Sequence, residues 1–300
     1  MRCLINSKSF AFASHQSRQE YFVAGIHDGL ITALSQISYL DIISKTSTLK
    51  FKNSNNSITE IANELGVEAT IEASVLKSAD SIRVNVQLIQ AFPKEKHLWA
   101  QIFDRPISNI LLLFDDITQS IDRKINRTLN DRKTSVLSLP EQIDPQAYKA
   151  LLNGQFHSEK LSLEGFKSAL LFYEQAIQLD PNFAPAYAGV AFVYITQLQM
   201  RQVSVNEAVP KMYQYNQKAL ELDEHYSESQ YIKALMSFQA EWDWAKSEDA
   251  YKKAIDSNPN HVYAHAFYSH LLMIQKRFDE AFEEIEKAVR IDPNNPLVLS

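Results

Sequence analysis

The sequence of 300 residues has one cysteine, Cys3, and six glycines. One thiol excludes an internal disulfide and a zinc site built from several thiolates. The glycines form no phosphate-binding loop, because Gly25-Ile-His-Asp-Gly29 lacks the Lys-Ser or Lys-Thr pair that such a loop requires. No Gly-x-Ser-x-Gly nucleophile elbow occurs either. These absences indicate that the chain is not an enzyme, and we predict no catalytic residues, no bound metal and no cofactor.

Long apolar runs are also missing. Ile110–Phe114 contains five apolar residues, whereas a transmembrane helix needs about 20. The first residues, Met-Arg-Cys-Leu-Ile-Asn, interrupt their apolar run too early for a signal peptide. The sequence therefore predicts no membrane span and a cytoplasmic location. A periplasmic or envelope-associated location is the alternative, which requires that a targeting segment was lost.

The formal net charge of −6 is unevenly distributed. Residues 1–148 contain 16 Lys and Arg against 16 Asp and Glu, whereas residues 149–300 contain 14 against 20. Binding to nucleic acid phosphates requires clustered Lys and Arg side chains. The acidic second half therefore argues against direct binding of nucleic acid.

A 34-residue period marks this second half. Ala254 and Ala288 are 34 positions apart, and so are Pro259 and Pro293, within two segments of similar sequence. A similar pattern recurs at Tyr173–Pro181 and, more weakly, at Asn216–Glu224, where Glu224 stands at the proline position. A fixed period of this length predicts a solenoid of helical hairpins, which become stable only by stacking on each other.

These residues resemble the tetratricopeptide repeat (TPR) family. In the last unit, the small, bulky, small and proline positions of that repeat are filled in order by Ala281, Ile285, Ala288 and Pro293. The resemblance implies an all-α superhelix whose curved surface binds protein. We expect a linker at 135–145 and four repeats at 146–300, truncated at the carboxy-terminal end.

Apolar periodicity places four helix pairs in this region. They are 146–157 with 164–179, 183–200 with 207–222, 226–240 with 243–257, and 261–275 with 278–291. Ala176 and Ala219 are 43 rather than 34 positions apart. We therefore expect about nine extra residues near Gln199–Pro210, in a longer loop between two helices.

Residues 1–134 have a different pattern, typical of an α/β domain. Helical periodicity covers Glu20–Ile37 and Ile107–Leu129, and Ser57 with Glu60 forms a capping box that opens a helix ended by Gly66. Strands are predicted at Asp41–Ser47, Ala69–Leu76, Ile82–Ile89 and His97–Phe103, the middle two forming a hairpin. This order predicts a mixed sheet with helices packed on it.

Several phrases in this region resemble the TolB amino-terminal-like (FlgO-like) domain. They are Glu20–Leu34, Ile42–Ser47, Ile61–Val67, Ile71–Val75, Val84–Ile89 and Leu98-Trp99. In that family the domain commonly lies between an output domain and carboxy-terminal TPRs, the output domain being a winged-helix regulator or a class III nucleotide cyclase. The family also opens with an apolar strand, and Lys8 and Ser9 interrupt the segment where we expect it, Asn6–Phe12. We therefore expect that the first strand is weak or missing.

The resemblance to TPRs also implies which side chains line the concave groove. They are Phe192 and Thr196 in the second repeat, Ile232, Met236 and Gln239 in the third, and Tyr263, His270 and Met273 in the fourth. This mainly apolar set predicts binding of an apolar helix or extended segment of a protein. Alternatively, the superhelix or the α/β domain fills the groove. If a partner binds there, Phe192→Ala combined with Met236→Ala should weaken binding without lowering the melting temperature.

Other candidate sites have simpler explanations. His261 and His265 are one helical turn apart and could bind a metal, but the glutamate that follows the first His in hydrolytic zinc helices is absent, so packing is favoured. We expect a solvent-facing or capping pair at His27-Asp28 and two solvated charges at Asp115-Asp116. At the start of a predicted helix, Asp243 is the expected N-cap, flanked by tryptophans packed between repeats.

Two functions remain from these observations. The first is a non-catalytic scaffolding or regulatory protein that binds a partner through the TPR groove. The second is an accessory or sensor region of a signalling enzyme or regulator, such as a class III adenylate cyclase or a winged-helix transcription regulator. In that case the output domain is absent from this chain and acts in cis or in trans.

Overall fold

The computed structural model describes residues 1–6, 20–37, 39–51, 54, 56–77, 81–106, 109–129 and 144–299. The chain forms two compact units. The first comprises Met1–Arg18, Ile26–Glu141 and Asn258–Ser300, and the second comprises Gln19–Gly25 and Gln142–Ser257. Within the described residues, no helix combines the length and the apolar character needed to cross a bilayer.

A five-stranded mixed sheet forms the centre of the first unit. Its strands are β1 (Arg2–Asn6), β2 (Asp41–Ile42), β3 (Ala69–Lys77), β4 (Ser81–Gln90) and β5 (Lys96–Pro106), in the spatial order β2-β1-β3-β4-β5. The strand β1 is parallel to β2 and β3, while β3, β4 and β5 are antiparallel neighbours. The predicted mixed sheet and its hairpin are confirmed.

Alternation along β3 and β4 directs one face of the sheet towards a core. Ile71 pairs with Leu88 and Val75 with Val84, and all four side chains are buried. The long helix α4 (Ile110–Leu129) packs against β4 and β5. Its buried side chains recur at helical spacing, as predicted, at Leu113, Ile117, Ile121 and Ile125.

Three more helices complete the α/β part: α1 (Glu20–Ser35), α2 (Lys45–Leu49) and α3 (Ile58–Leu65). The capping box predicted for α3 is present, since Ser57 Oγ accepts from the Glu60 amide and the Glu60 carboxylate accepts from the Ser57 amide. Gly66 ends α3 with φ of 61°, a left-handed conformation that favours glycine.

Two predictions for the start of the chain need correction. The expectation that the first strand is weak or missing is wrong, because β1 lies at Arg2–Asn6, earlier than the segment Asn6–Phe12. The strand predicted at Asp41–Ser47 ends at Ile42, because helix α2 begins at Lys45. The rest of the predicted first-strand segment, and most of the predicted linker at 135–145, lie outside the described residues.

All four predicted helix pairs are present. They are α5 (Pro145–Ser158) with α6 (Leu163–Leu179), α7 (Ala184–Gln199) with α8 (Val205–Leu222), α9 (Ser227–Met236) with α10 (Trp244–Ser257), and α11 (Val262–Ile274) with α12 (Phe278–Ile291). A short π-helix, Ser237–Glu241, continues α9. The first three pairs belong to the second unit, and the last pair belongs to the first.

The expected long loop between α7 and α8 is replaced by longer helices. Only Met200–Ser204 separate the two helices, and α8 contains Pro210 within its 18 residues. The Ser204 hydroxyl caps α8 by accepting from the Glu207 amide, which starts the helix before the proline. Extra residues in this repeat therefore add helical length.

Two glycines allow close helix contacts around a tyrosine of the first repeat. The fully buried ring of Tyr173 on α6 lies against Gly154 on α5 and Gly189 on α7. A Cβ atom added at Gly154 or Gly189 would lie 2.4 Å or 2.6 Å from this ring. A larger residue at either glycine would therefore collide with the Tyr173 ring.

Candidate interaction surface

Two of the predicted groove residues, Phe192 and Thr196, lie one turn apart on α7 and are half-buried. The Thr196 hydroxyl donates to the Phe192 carbonyl oxygen over 2.8 Å, so it is satisfied by its own helix. Its methyl group and the Phe192 ring then form an apolar strip on this face of α7. The strip has the chemistry expected of a surface that contacts an apolar segment.

The residues predicted for the third repeat differ in accessibility. Ile232 and Met236 on α9 are only 0% and 5% exposed, whereas Gln239 in the π-helix is exposed. A side chain without accessible surface cannot contact a partner, so Ile232 and Met236 act as core residues in this structure. We therefore expect Met236→Ala to lower the melting temperature, in contrast to the prediction from the sequence, because the substitution would open a cavity.

The three predicted groove residues of the fourth repeat belong to the first unit. The Tyr263 hydroxyl accepts from the Asn295 side-chain amide over 3.3 Å, and Tyr263 is half-buried. His270 and Met273 are exposed, Met273 at 55%, and the His270 ring packs edge-on against Phe267 at 5.5 Å. His270 and Met273 are accessible to a partner.

The residue after the π-helix, Trp242, does not have the packed position that its sequence predicts. Trp242 follows it with φ of 58° and is 76% exposed, so it does not pack between repeats. Asp243 does act as the expected N-cap, since its carboxylate accepts from the Lys246 amide over 3.0 Å. A π-helix often marks a functional position. The π-helix before Trp242 would therefore have drawn attention to this residue, but the periodicity of the sequence does not predict a π-helix.

Glu241 fixes this π-helix in place. Its carboxylate accepts from the Tyr213 hydroxyl at 2.7 Å and from the Ser237 hydroxyl at 3.1 Å, and forms an ion pair with Lys246 at 2.7 Å. The hydrogen bond from Lys246, followed by that from Tyr213, lowers the pKa of Glu241. The carboxylate thereby joins α8, the π-helix and α10.

The turn before α11 binds the edge of the sheet. Asn260 is 7% exposed, and its side-chain amide donates to the carbonyl oxygens of Ser35 at 2.8 Å and Leu40 at 2.9 Å. Its Oδ1 accepts from the Ile42 amide at 3.0 Å. The Leu40 carbonyl oxygen and the Ile42 amide lie on the outer edge of strand β2. The Asn260 side chain forms the hydrogen bonds that a neighbouring strand would otherwise form with them.

The turn after α12 binds the segment that follows β2. The buried Ser47 hydroxyl donates to the Asp292 carboxylate at 2.6 Å and accepts from the Asn294 amide at 3.0 Å. The Ser44 amide donates to the Ile291 carbonyl oxygen at 2.9 Å. Both ends of the fourth repeat are therefore hydrogen-bonded to the α/β part of the first unit.

His265 packs inside the fourth repeat, with both ring nitrogens in use. Nδ1 pairs with the Glu284 carboxylate of α12, and Nε2 lies 3.0 Å from the Pro259 carbonyl oxygen. His261 accepts from the Ala264 amide over 3.1 Å as the N-cap of α11. Among the described residues, no group of three or more His, Cys, Asp or Glu side chains is arranged to hold a metal.

The remaining acidic candidates form ion pairs. Asp28 lies 2.6 Å from Lys45, and burial raises the pKa of Asp28 although Lys45 acts in the opposite direction. Asp116 pairs with Arg105 at 2.7 Å. Asp28 is therefore a partly buried ion-pair partner rather than the solvent-facing or capping residue that the sequence indicated, and Asp116 is a surface charge.

Comparison with known proteins gives a family match and a relative. Residues 262–295 match the family model described as Tetratricopeptide repeat. A protein of Rhizobium meliloti (strain 1021), named as adenylate cyclase 3, is 28% identical over 183 residues. The alignment covers 61% of this chain, and the chain spans about a third (31%) of that relative's length.

Solved structures that are similar to part of this chain include TTC0263, a thermophilic TPR protein in Thermus thermophilus. It is 14% identical, with a TM-score of 0.42, over 63% of this chain and 88% of that chain. PilW, a type IV pilus biogenesis factor, is 18% identical, with a TM-score of 0.40, over 50% of this chain and 65% of that chain. The family match places a repeat of tetratricopeptide type at residues 262–295. The resemblance of residues 20–130 to the TolB amino-terminal-like domain stays a prediction.

Proposed function

We propose that this chain is a non-catalytic scaffolding or regulatory protein that binds an apolar segment of a protein partner through its helical repeats. The observation that carries the proposal is the set of helix pairs, three in the second unit and one in the first, with accessible apolar side chains on first helices. Phe192 on α7 and Met273 on α11 are such side chains. A stack of helical hairpins presents an extended surface without needing a catalytic group.

The accessible members of the predicted groove set define the proposed contact residues. They are Phe192, Thr196, Gln239, Tyr263, His270 and Met273. Their side chains carry no formal charge when His270 is neutral, which suits an apolar helix or extended segment and not a nucleic acid. We propose a cytoplasmic location for this interaction.

The test begins with capture of partners on the full chain and their identification by mass spectrometry. Binding of the purified partner is then measured for Phe192→Ala combined with Gln239→Lys. We expect at least tenfold weaker binding, about 1.4 kcal/mol, with an unchanged melting temperature. Leu171→Lys, at an exposed position of α6, is the control and should bind normally. Equal binding by all three proteins would contradict the proposal.

A second candidate function is the accessory region of a signalling enzyme. It is favoured by the similarity to a relative named as an adenylate cyclase, of which this chain spans only about a third. If the output domain belongs to the same polypeptide, it should be encoded directly upstream of Met1, and the coding sequence there tests this. An in-frame cyclase or winged-helix domain would support it, and a stop codon in frame directly upstream would contradict it.

A further inference from the structure

The two edges of the five-stranded sheet differ. Edge strand β2 has two residues, and the Asn260 side chain accepts from the Ile42 amide on its outer edge. Edge strand β5 has 11 residues, Lys96–Pro106. In the described part of the chain, no backbone hydrogen bond joins the outer side of β5 to another segment. A long edge with unpaired amides and carbonyl oxygens is a template for a further strand.

The regular part of this edge is Trp99–Arg105, which we call the edge segment. A register shift between Leu88 and Ile89 of β4 interrupts the pairing of β4 with β5 just before Trp99. Pro106 has no amide hydrogen, so it ends the segment on the other side. Between these two points, seven residues of β5 pair with β4 without interruption. An added strand can therefore pair with all seven in a regular register.

The charges of the edge segment are already paired within the same chain. Asp104 forms an ion pair with Arg83 of β4, and Arg105 forms one with Asp116 of α4 at 2.7 Å. Unpaired charges commonly protect an edge strand from pairing with another copy. Because both charges of the edge segment are compensated, they do not protect it in this way.

An exposed apolar residue, Ile102, lies at the middle of the edge segment. Successive side chains of a strand point to opposite faces of the sheet. Arg105 contacts Asp116 of α4, so Ile102, three residues earlier, lies on the face away from α4. Its side chain is 63% exposed. A further strand at this edge would cover apolar surface as well as backbone groups.

We propose that the edge segment pairs antiparallel with the same segment of a second copy of this chain, with the two-fold axis at Ile102. The two five-stranded sheets then form one continuous sheet. Ile102 lies opposite Ile102 of the second copy, and Trp99 lies opposite Arg105 of the second copy. Two apolar side chains, or a cation beside an aromatic ring, are favourable cross-strand pairs. The seven residues form about six to eight backbone hydrogen bonds with the second copy.

Registers with the axis at a neighbouring residue are less favourable. An axis at Phe103 places Ile102 opposite Asp104 of the second copy, and an axis at Asp104 places two aspartates opposite each other. An axis at Gln101 pairs the end of the segment with the interrupted part of β5 before Trp99. The edge segment is thus complementary to itself in the register centred on Ile102, and this self-complementarity points to a second copy as the occupant.

The dimer goes beyond the proposed function and does not depend on it, because none of the proposed contact residues of the groove belongs to β5. The variant with Phe192→Ala and Gln239→Lys should therefore form the dimer as the wild-type chain does. Loss of partner binding in that variant, or its absence, concerns the groove alone.

Sedimentation equilibrium of the full chain, from nanomolar to high micromolar concentration, measures the oligomeric state. We expect a reversible dimer. Ile102→Lys and Ile102→Glu each place like charges opposite each other at the axis, so each should raise the dimer dissociation constant by about tenfold or more. An equimolar mixture of the two variants should form a heterodimer, because opposite charges then face each other.

Hydrogen exchange with mass spectrometry provides a second measurement on the wild-type chain. The amides of the edge segment should gain protection as the concentration rises and the dimer forms. This measurement tests the proposal even if a charged variant does not fold, which circular dichroism checks. Leu76→Lys is the control, since Leu76 is 52% exposed on β3, away from both edges of the sheet, and it should leave the dimer unchanged.

Several results would overturn the proposal. They are a chain that stays monomeric over the whole concentration range, a dimer without protection of the edge segment, a dimer that Ile102→Lys leaves unchanged, and a mixture of the two charged variants that fails to associate. If the wild-type chain is monomeric and Ile102→Lys abolishes binding of another protein, the edge belongs to that protein, and the proposal is overturned as well.

Discussion

Asn182 and Asn260 occupy the same position in two repeats, directly after Pro181 and Pro259, but they are used differently. Asn182, before α7 in the second unit, is exposed, and its backbone amide donates to the Asp180 side chain. Asn260, before α11 in the first unit, makes the corresponding bond to Asn258 and is buried. Its side chain also binds three backbone groups at the edge of the sheet.

The repeat sequence thus specifies the turn, and the neighbouring structure decides what the turn does. The repeat that matches the family model, at residues 262–295, is hydrogen-bonded to the α/β part of the first unit. From the 34-residue period alone, all four repeats would be expected to have the same role. The structure separates three helix pairs in the second unit from a fourth that stabilises the sheet.

The largest expected effect comes from removing the side chain of Asn260 and comparing the result with the same change at Asn182. Asn260→Ala leaves the Ile42 amide and the Leu40 and Ser35 carbonyl oxygens without their partner, which should destabilise the first unit by about 4 kcal/mol. Asn182→Ala should change stability by less than about 0.5 kcal/mol. Urea unfolding followed by circular dichroism measures both. A similar loss in the two variants would show that the two turns are equivalent.

The next comparison uses two methionines from the same predicted groove. Met236 on α9 is buried, so Met236→Ala should reduce the free energy of unfolding by about 3 kcal/mol. Met273 on α11 is exposed, so Met273→Ala should have an effect below about 0.5 kcal/mol. Thermal unfolding of the two variants distinguishes core from surface. Equal melting temperatures would contradict the buried position of Met236.

A glycine contact tests packing within the second unit alone. Gly154→Ala would bring a Cβ atom to 2.4 Å from the Tyr173 ring, and we expect a loss of about 2 kcal/mol. Tyr173→Leu removes the ring, so adding Gly154→Ala to Tyr173→Leu should lower stability further by much less than about 2 kcal/mol. A double-mutant cycle in urea measures this coupling. Additive losses would mean that the two residues do not interact.

The smallest effect depends on pH and lies within the fourth repeat. Burial alone would raise the pKa of Glu284, but hydrogen bonds from His265 and Lys287 outweigh it and lower the pKa below its ordinary value of 4.5. The folded state therefore holds the proton less tightly than the unfolded chain. This contribution to stability is present above about pH 4.5 and is lost as the pH falls through the folded pKa.

Glu284→Gln removes that titrating group. We expect the wild-type protein to be more stable than the variant by about 1 kcal/mol at pH 7, with the difference shrinking at acidic pH. Chemical unfolding between neutral and acidic pH measures this difference. A constant difference would contradict the hydrogen-bonded carboxylate. Glu286→Gln, at an exposed position of the same helix, is the control.

Local signals predicted much of the fold. The capping box at Ser57, the hairpin of β3 and β4 and the four helix pairs depend on residues near each other in sequence. The strand predicted to continue to Ser47 was wrong, because Ile42 and Ile43 are apolar but Lys45 already begins α2. The extra residues near Pro210 extend helices, since a period gives the insertion's length but not its conformation.

The candidate site was harder to predict, because accessibility depends on the whole fold. Ile232 and Gln239 fit the same repeat template, yet one is fully buried and the other exposed. The contacts of Asn260 join residues more than 200 positions apart, at Ser35, Leu40 and Ile42. No spacing rule within a repeat can anticipate such contacts.

Hydrogen exchange with mass spectrometry on the intact chain tests most directly whether the fourth repeat is part of the first unit. We expect the amides of α11 and α12 to exchange with the same opening free energy as those of β3 and β4, and both groups to lose protection together in Asn260→Ala. The amides of α5 and α6 should keep their protection in that variant. Exchange of α11 and α12 independently of the sheet, unaffected by Asn260→Ala, would contradict this account.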